Sequence, residues 1–266
     1  MLNKLFKYEF KATGRIMLPI YIATLVICII SSMFFNFAPS GEWDEHKLLT
    51  FTTLIIFALF IFMVTAAVVL SYIISILRFK KNLFDSEGYL MNTLPVTTGQ
   101  NIGAKLLTSV IYQIFTLIVA ILAFIIFTIG IAPAENINIL GELYDIFVSL
   151  MNHMTGEIFL FITEFIILCI LSLILLNIEF YAAISIGHSS NSNRVLKSVG
   201  AYIIFYVIQN IIDSILLIIF GLNINEFDTN SFPYLLFTGF IIIEIIYILI
   251  YYFITNYFMK KKLNLQ

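Results

Sequence analysis

The sequence predicts an all-α, polytopic membrane protein with six transmembrane helices, both termini cytoplasmic and an N-terminal amphipathic interfacial helix. Three observations carry this prediction. Hydrophobic residues make up 61% of 266 positions and charged residues 11%, whereas about a quarter of a soluble domain is charged. Six apolar stretches reach the roughly 20 residues needed to cross a bilayer. Of the 14 Lys and Arg residues, all but Lys47 fall in segments that these stretches place on one side, the bias that marks the cytoplasmic face.

Residues 1–15 open the chain. At about 100° per residue, Leu2, Leu5, Phe6 and Phe10 share one arc of about 140°, with Lys4, Lys7 and Lys11 opposite. Such a helix is expected to lie along the cytoplasmic surface, lysines near anionic headgroups, before turning into the first span, Ile16 to Phe35. That run is longer than a signal-peptide core, and Pro39-Ser40-Gly41 is a poor cleavage site, so it reads as a retained helix.

The second span, Leu48 to Leu77, is about 45 Å long against a hydrocarbon core of roughly 30 Å. It must tilt or project, and projection would carry Arg78, Lys80 and Lys81 into the cytoplasm with the loop 78–105. Within that loop Asp85 or Ser86 can cap a short helix ending near Leu94, because Pro95 disfavours helical geometry in the residue before it. Thr97 or Thr98 can cap the third span, Leu106 to Ala132. Beyond it, the external segment 133–157 repeats apolar positions at Leu140, Leu143, Tyr144, Phe147, Leu150 and Met151, the spacing of a second amphipathic helix. It either caps an exit path or rests on lipid. The remaining spans are Ile158 to Ile186, Val199 to Leu222 and Leu235 to Met259, and a single membrane domain fills 1–266.

Several functions are disfavoured. The net charge of −2 conceals two signs sorted by side, so nucleic acid is not an expected partner. Cys28 and Cys169 fall inside apolar stretches and read as small buried hydrophobes. His46, His153 and His188 are placed in loops, too dispersed for a metal site, and no H-E-x-x-H is present. The string GQNIGAKL, Gly99 to Leu106, has neither the spacing nor the hydroxyl of a phosphate loop. The chain is therefore not expected to be an enzyme.

Four acids lie within spans. A carboxylate in hydrocarbon costs several kcal/mol, so such groups usually face a cavity, a partner or each other. Counted from the outer boundaries, Glu164, Asp213 and Glu244 lie roughly 9 to 14 Å deep, in one layer. Glu179 lies in the inner half of its span, about 60° around the helix from Glu164. Tyr202, Tyr206, Gln209 and Asp213 form one stripe; Glu244, Tyr247, Tyr251 and Thr255 form another. No intramembrane Lys, Arg or His neutralises these acids. They are protonated by desolvation, hydrogen-bonded to Tyr or amide groups, or paired with an incoming cation. They serve either as neutral interhelical hydrogen-bond formers or as the lining for a cationic or amphipathic substrate.

The segments "LFKYEFKATGRIMLPIY" and "SEGYLMNTLPVT" resemble the corresponding parts of bacterial type-2 ABC transporter permeases, the membrane subunits of ATP-driven exporters, and the six-span plan extends the resemblance over the full length. It implies a coupling helix between spans two and three that docks on a separate ABC ATPase subunit through Phe84, Asp85, Glu87, Tyr89, Leu90 and Met91. This chain would bind no cofactor, with ATP and Mg held by the partner subunit. A second permease copy or related permease, membrane lipid and an amphipathic or cationic peptide substrate are the other implied partners, in the bacterial plasma membrane. Glu164, Glu179, Tyr206, Gln209, Asp213, Glu244 and Tyr247 would line the substrate path. The connection Asn223 to Tyr234 is too short for the re-entrant external helices that such permeases often carry. A proton- or cation-coupled secondary transporter is the competing expectation, although no inverted repeat is visible. A non-transporting anchor or sensor subunit is the third.

Overall fold

A computed structural model of the chain describes residues 2–36, 47–84, 88, 96–135, 139–190, 193–222 and 232–261. They form seven helices: α1 (Leu2–Asn36), α2 (Lys47–Leu83), α3 (Thr98–Glu135), α4 (Ile139–Asn152), α5 (Gly156–His188), α6 (Arg194–Leu222) and α7 (Phe232–Lys261). No strand occurs among the described residues. All except α4 are long and apolar enough to cross a membrane. In hydrocarbon only a helix, or a closed barrel, satisfies every backbone amide, which is why such apolar runs fold this way. Their outer surfaces fit the same solvent: along α6, Ile204, Ile208, Ile211, Ile215 and Ile218 are all exposed, a patch that only lipid or another apolar chain can cover.

The helices outrun the spans read from hydropathy at their basic ends. Lys80 and Lys81 lie in the last turn of α2, Lys260 and Lys261 end α7, and Arg194 and Lys197 begin α6. Hydropathy falls at the first charge, but Lys and Arg are good helix formers and the hydrogen-bond ladder runs on through them. The same reason removes the expected turn between the interfacial helix and the first span. α1 is one continuous 35-residue helix with Pro19 inside it; nothing at Ala12-Thr13-Gly14-Arg15 stops it, and Pro19 removes a single amide donor.

The chain divides into two compact units. One contains Tyr8–Ile74 and Ile111–Met154. In it α1 and α3 pack side by side. The Tyr21 hydroxyl donates to the Tyr112 carbonyl at 2.9 Å, and Tyr112 donates its own hydroxyl hydrogen to the Phe10 carbonyl at 2.9 Å. Gly14 permits this: a Cβ there would meet the Tyr112 hydroxyl. Towards the other end, Phe60 of α2 stacks on Phe127 of α3 with ring centroids 4.7 Å apart, inside a cluster that includes Cys28 and Ala123. The segment 133–157 does contain a helix, α4. Tyr144, Phe147 and Met151 lie along one exposed face.

The other unit contains Met1–Lys7, Ser75–Val110 and Thr155–Gln266, and it holds the intramembrane acids. Its core joins the end of α2 and the start of α3 to α5 and α7 through Phe79, Leu83, Ile102, Ile178, Tyr181, Tyr251 and Met259. Thr97 caps α3: its hydroxyl accepts from the Gln100 amide while the Gln100 side chain accepts from the Thr97 amide, the reciprocal pair of a capping box. The Thr98 hydroxyl donates to Asn256 on α7 at 2.7 Å. Gly187 sets the closeness of α5 and α6, since a Cβ there would collide with Ser198 and the Arg194 backbone.

Candidate functional site

The three helices α5, α6 and α7 carry a polar seam. α6 and α7 run antiparallel and are bridged twice, one turn apart on each. The Tyr247 hydroxyl donates to Asp213 Oδ1 at 3.3 Å. The Gln209 amide donates to the Tyr251 hydroxyl at 2.9 Å. Between the bridges the Tyr247 and Tyr251 rings face each other with centroids 6.4 Å apart. The register follows from the sequence: Gln209 and Asp213 are four residues apart, as are Tyr247 and Tyr251, so each pair lies on one helix face.

Glu244 adds the link to α5. Its Oε1 accepts from the Ser172 hydroxyl at 2.6 Å, while its Oε2 is buried without a hydrogen-bond partner. Asp213 stands within electrostatic reach of Glu244, so two carboxyl groups on neighbouring helices lie near each other. Residues 158–186, 199–222 and 235–259 contain no Lys, Arg or His to compensate them.

Towards the basic ends of the helices lies Glu179, only 2% exposed. Its Oε1 has no hydrogen-bond partner, and it stands within electrostatic reach of Tyr202 on α6 and Tyr251 on α7. An unpaired buried polar atom costs about 1–3 kcal/mol, so this residue weakens the fold unless something else recovers that cost. Tyr251 therefore lies between the acidic pair and Glu179. A hydroxyl both donates and accepts, and the seam presents a run of such groups with carboxyls at each end.

The structure brings Glu179, Gln209, Asp213, Glu244 and Tyr247 into this seam, and two expected members fall outside it. Tyr206 is 55% exposed on the outer surface of α6; Tyr202, Phe205, Gln209 and Asp213 face inward instead. Tyr206 belongs to the same broad stripe but lies about 100° from Phe205, past its edge. Glu164 does not share a layer with Asp213 and Glu244. Ser172, which holds Glu244, is eight residues further along α5, about 12 Å at the helical rise.

The chain matches no protein-family model, no curated protein and no solved structure.

Of the expected docking residues, Phe84 is buried. It packs against Phe79 at 5.8 Å and against the His188 ring at 4.9 Å, so its side chain is an anchor and not a contact surface. Asp85, Glu87, Tyr89, Leu90 and Met91 lie outside the described residues. His188 is likewise not a loop residue: it ends α5 and is buried. Of the two cysteines Cys28 is buried as expected, whereas Cys169 is exposed on α5, a position that faces lipid in a membrane. No cluster of His, Cys, Asp or Glu with metal-binding geometry occurs among the described residues.

Sequence reasoning passed over a second polar knot. Ser75 of α2 donates to Asn177 Oδ1 of α5 at 2.7 Å, and its Oγ lies 2.6 Å from Ser109 of α3 and 3.1 Å from the Tyr181 hydroxyl. Phe79 then stacks on Tyr181 with centroids 3.8 Å apart. The available signal was Asn177 and Tyr181 at an i, i+4 spacing in an otherwise apolar span.

Proposed function

We propose that this chain is the transmembrane subunit of an ATP-driven exporter, pairing with a separate ATPase subunit to move an amphipathic substrate, most suitably a cationic peptide, out across the bacterial plasma membrane. A transport role rests on one observation above the others: Asp213 and Glu244 stand within electrostatic reach of each other on neighbouring helices, with no basic residue in the surrounding spans. Buried acids of this kind are expensive and are retained where a cation or proton must be met. The ATPase partnership rests on the resemblance of Leu5–Tyr21 and Ser86–Thr97 to type-2 ABC permeases.

The orientation proposed here rests on the one-sided basic residues. Arg194 and Lys197 occupy the first turn of α6, where the helix dipole disfavours positive charge. Helix stability therefore does not account for them, and retention on a cytoplasmic side would. With both termini cytoplasmic, the start of α1, with Lys4, Lys7, Lys11 and Arg15, would stand at the inner surface, and Asp85, Glu87, Tyr89, Leu90 and Met91 would meet the ATPase. The residues on either side of that loop suit transmission. Phe84 against His188 and Phe79 against Tyr181 tie the end of α2 to α5, the helix that carries Glu179. A push on the loop would thus be felt at the seam. A second copy or a related permease would complete the pathway.

The run from Glu179 through Tyr251 and Tyr247 to Asp213 and Glu244 favours a second reading, a proton- or cation-coupled secondary transporter in which the seam is itself the relay. Affinity purification of the tagged chain separates the two. The exporter reading expects a stoichiometric phosphate-loop ATPase that is lost when Leu90 and Met91 are both changed to Asp. Flux driven by a proton or cation gradient, with no ATPase retained, would replace it with the second reading.

A further inference from the structure

Among the described residues, the amide side chains of the spans turn inward with one exception. Gln113 and Asn177 are buried, and Gln209 and Asn256 are half-buried. Asn210 is exposed on the outer surface of α6. It lies 16 residues from the start of that helix and 12 from its end, about 24 and 18 Å at the helical rise, and so in the middle of the hydrocarbon. One amide hydrogen donates to the Tyr206 carbonyl at 2.8 Å, while the second hydrogen and Oδ1 have no partner among the described residues. Exposed hydroxyls elsewhere leave less unspent, since Thr65 and Thr128 give their only hydrogen to carbonyls of their own helices. Lipid tails offer the free donor and acceptor of Asn210 nothing, and such a group is expensive there.

The surroundings of Asn210 form a line along the helix. Ile203 and Leu217, seven residues to either side, are exposed, and Tyr206 and Ser214 are exposed one turn before and one turn after it. In parallel helices that meet along such a seven-residue repeat, an Asn at a single position fixes register and partner number.

We infer that this face of α6 is an interface with a second copy of the chain, held at its centre by Asn210 paired with Asn210 of the partner subunit. Two features select this occupant. A side-chain amide carries both donor and acceptor and is therefore complementary to itself. Every copy also enters the bilayer in the same orientation, so two α6 helices meet in parallel with Asn210 at equal depth, and a two-fold axis normal to the membrane closes the pair. Lipid supplies neither the donor nor the acceptor. The pairing does not depend on the transport reading, since an anchor or sensor subunit could dimerise through the same face; where transport is the role, this copy is the second permease.

Energy transfer between full-length chains carrying donor or acceptor labels at the C-terminus, reconstituted in liposomes over a range of protein-to-lipid ratios, tests this. The wild type should dimerise. Asn210→Leu should weaken association by about three- to eighteenfold, the span of interhelical hydrogen bonds measured in membranes. Asn210→Gln keeps the amide and should retain most of the association; a single gel-filtration peak confirms that each variant folds. Oxidative cross-linking in membranes reads the face. With Cys28 and Cys169 replaced by Ala, Ile203→Cys and Leu217→Cys should give disulfide-linked dimers. Ile208→Cys and Ile215→Cys, also exposed but about 140–160° around the helix from Asn210, should not. A monomeric wild type overturns the inference, as does association of Asn210→Leu at wild-type strength or equal cross-linking at all four positions. Each of these failures leaves the ATPase purification free to succeed, so the interface and the exporter reading fall separately.

Discussion

Tyr247 on α7 hands its hydroxyl hydrogen to Asp213 on α6 across 3.3 Å, one turn from the point where Gln209 reaches back to Tyr251. Two bonds in antiparallel register hold the helices by their long side chains and line the space between them with oxygen. The first consequence is energetic. Interhelical hydrogen bonds in membranes average about 0.6 kcal/mol by double-mutant cycles, with a maximum near 1.7. Tyr247→Phe combined with Asp213→Ala should show a coupling energy of that size in thermal unfolding, and strictly additive effects would mean the bond is not formed.

Glu179 separates stability from function. It is buried with Oε1 unpartnered, so Glu179→Leu removes an unsatisfied group and replaces it with an apolar one of similar bulk. We expect unchanged or raised thermal stability together with a loss of transport. Equal stability and full transport would leave Glu179 without a role, and a large fall in stability would show that it has a hydrogen-bond partner after all.

Gly187 is a steric requirement. A Cβ would collide with Ser198 and with the backbone of Arg194, and relieving such overpacking costs about 1–3 kcal/mol. Gly187→Ala should lower the unfolding temperature, whereas Gly103→Ala, where a Cβ meets nothing within 4 Å, should leave it unchanged or raise it slightly. An equal response at both sites would contradict the close approach of α5 and α6.

The knot at Ser75 supplies a fourth test. Ser75→Ala removes a hydroxyl within hydrogen-bond distance of Asn177, Ser109 and Tyr181, and losing a buried hydrogen bond costs about 0.5–1.5 kcal/mol. Adding Asn177→Leu should recover part of that loss, because the apolar pair leaves less unsatisfied. Chemical denaturation of the single and double variants reads both effects.

The sequence made the spans legible because apolar length is what a bilayer demands, and α1 to α7 follow that pattern with α4 as the short exception. Where the helices end was less legible: Lys80, Lys81, Arg194 and Lys197 lower hydropathy without breaking a helix. The acids of α5 to α7 were identified from their cost alone, but their levels were not, since depth counted from apparent span starts placed Glu164 beside Glu244. Tyr206 shares with Gln209 and Asp213 a stripe too broad to distinguish neighbours 100° apart. Ser75 and Ser109 left no trace because hydroxyls in apolar helices commonly bond their own backbone, as Thr13 and Thr24 do, and nothing local separates those that reach across.

The central claim, that Asp213 and Glu244 receive the positive charge of a cargo, is tested most directly by transport of a cationic amphipathic peptide into inverted membrane vesicles from cells expressing the chain with the ATPase that the proposed function requires. The Asp213→Asn, Glu244→Gln double variant should retain the ATPase and its hydrolysis yet lose most of the peptide uptake, while uptake of an uncharged analogue changes little. Undiminished uptake of the cationic peptide by the double variant would contradict the account.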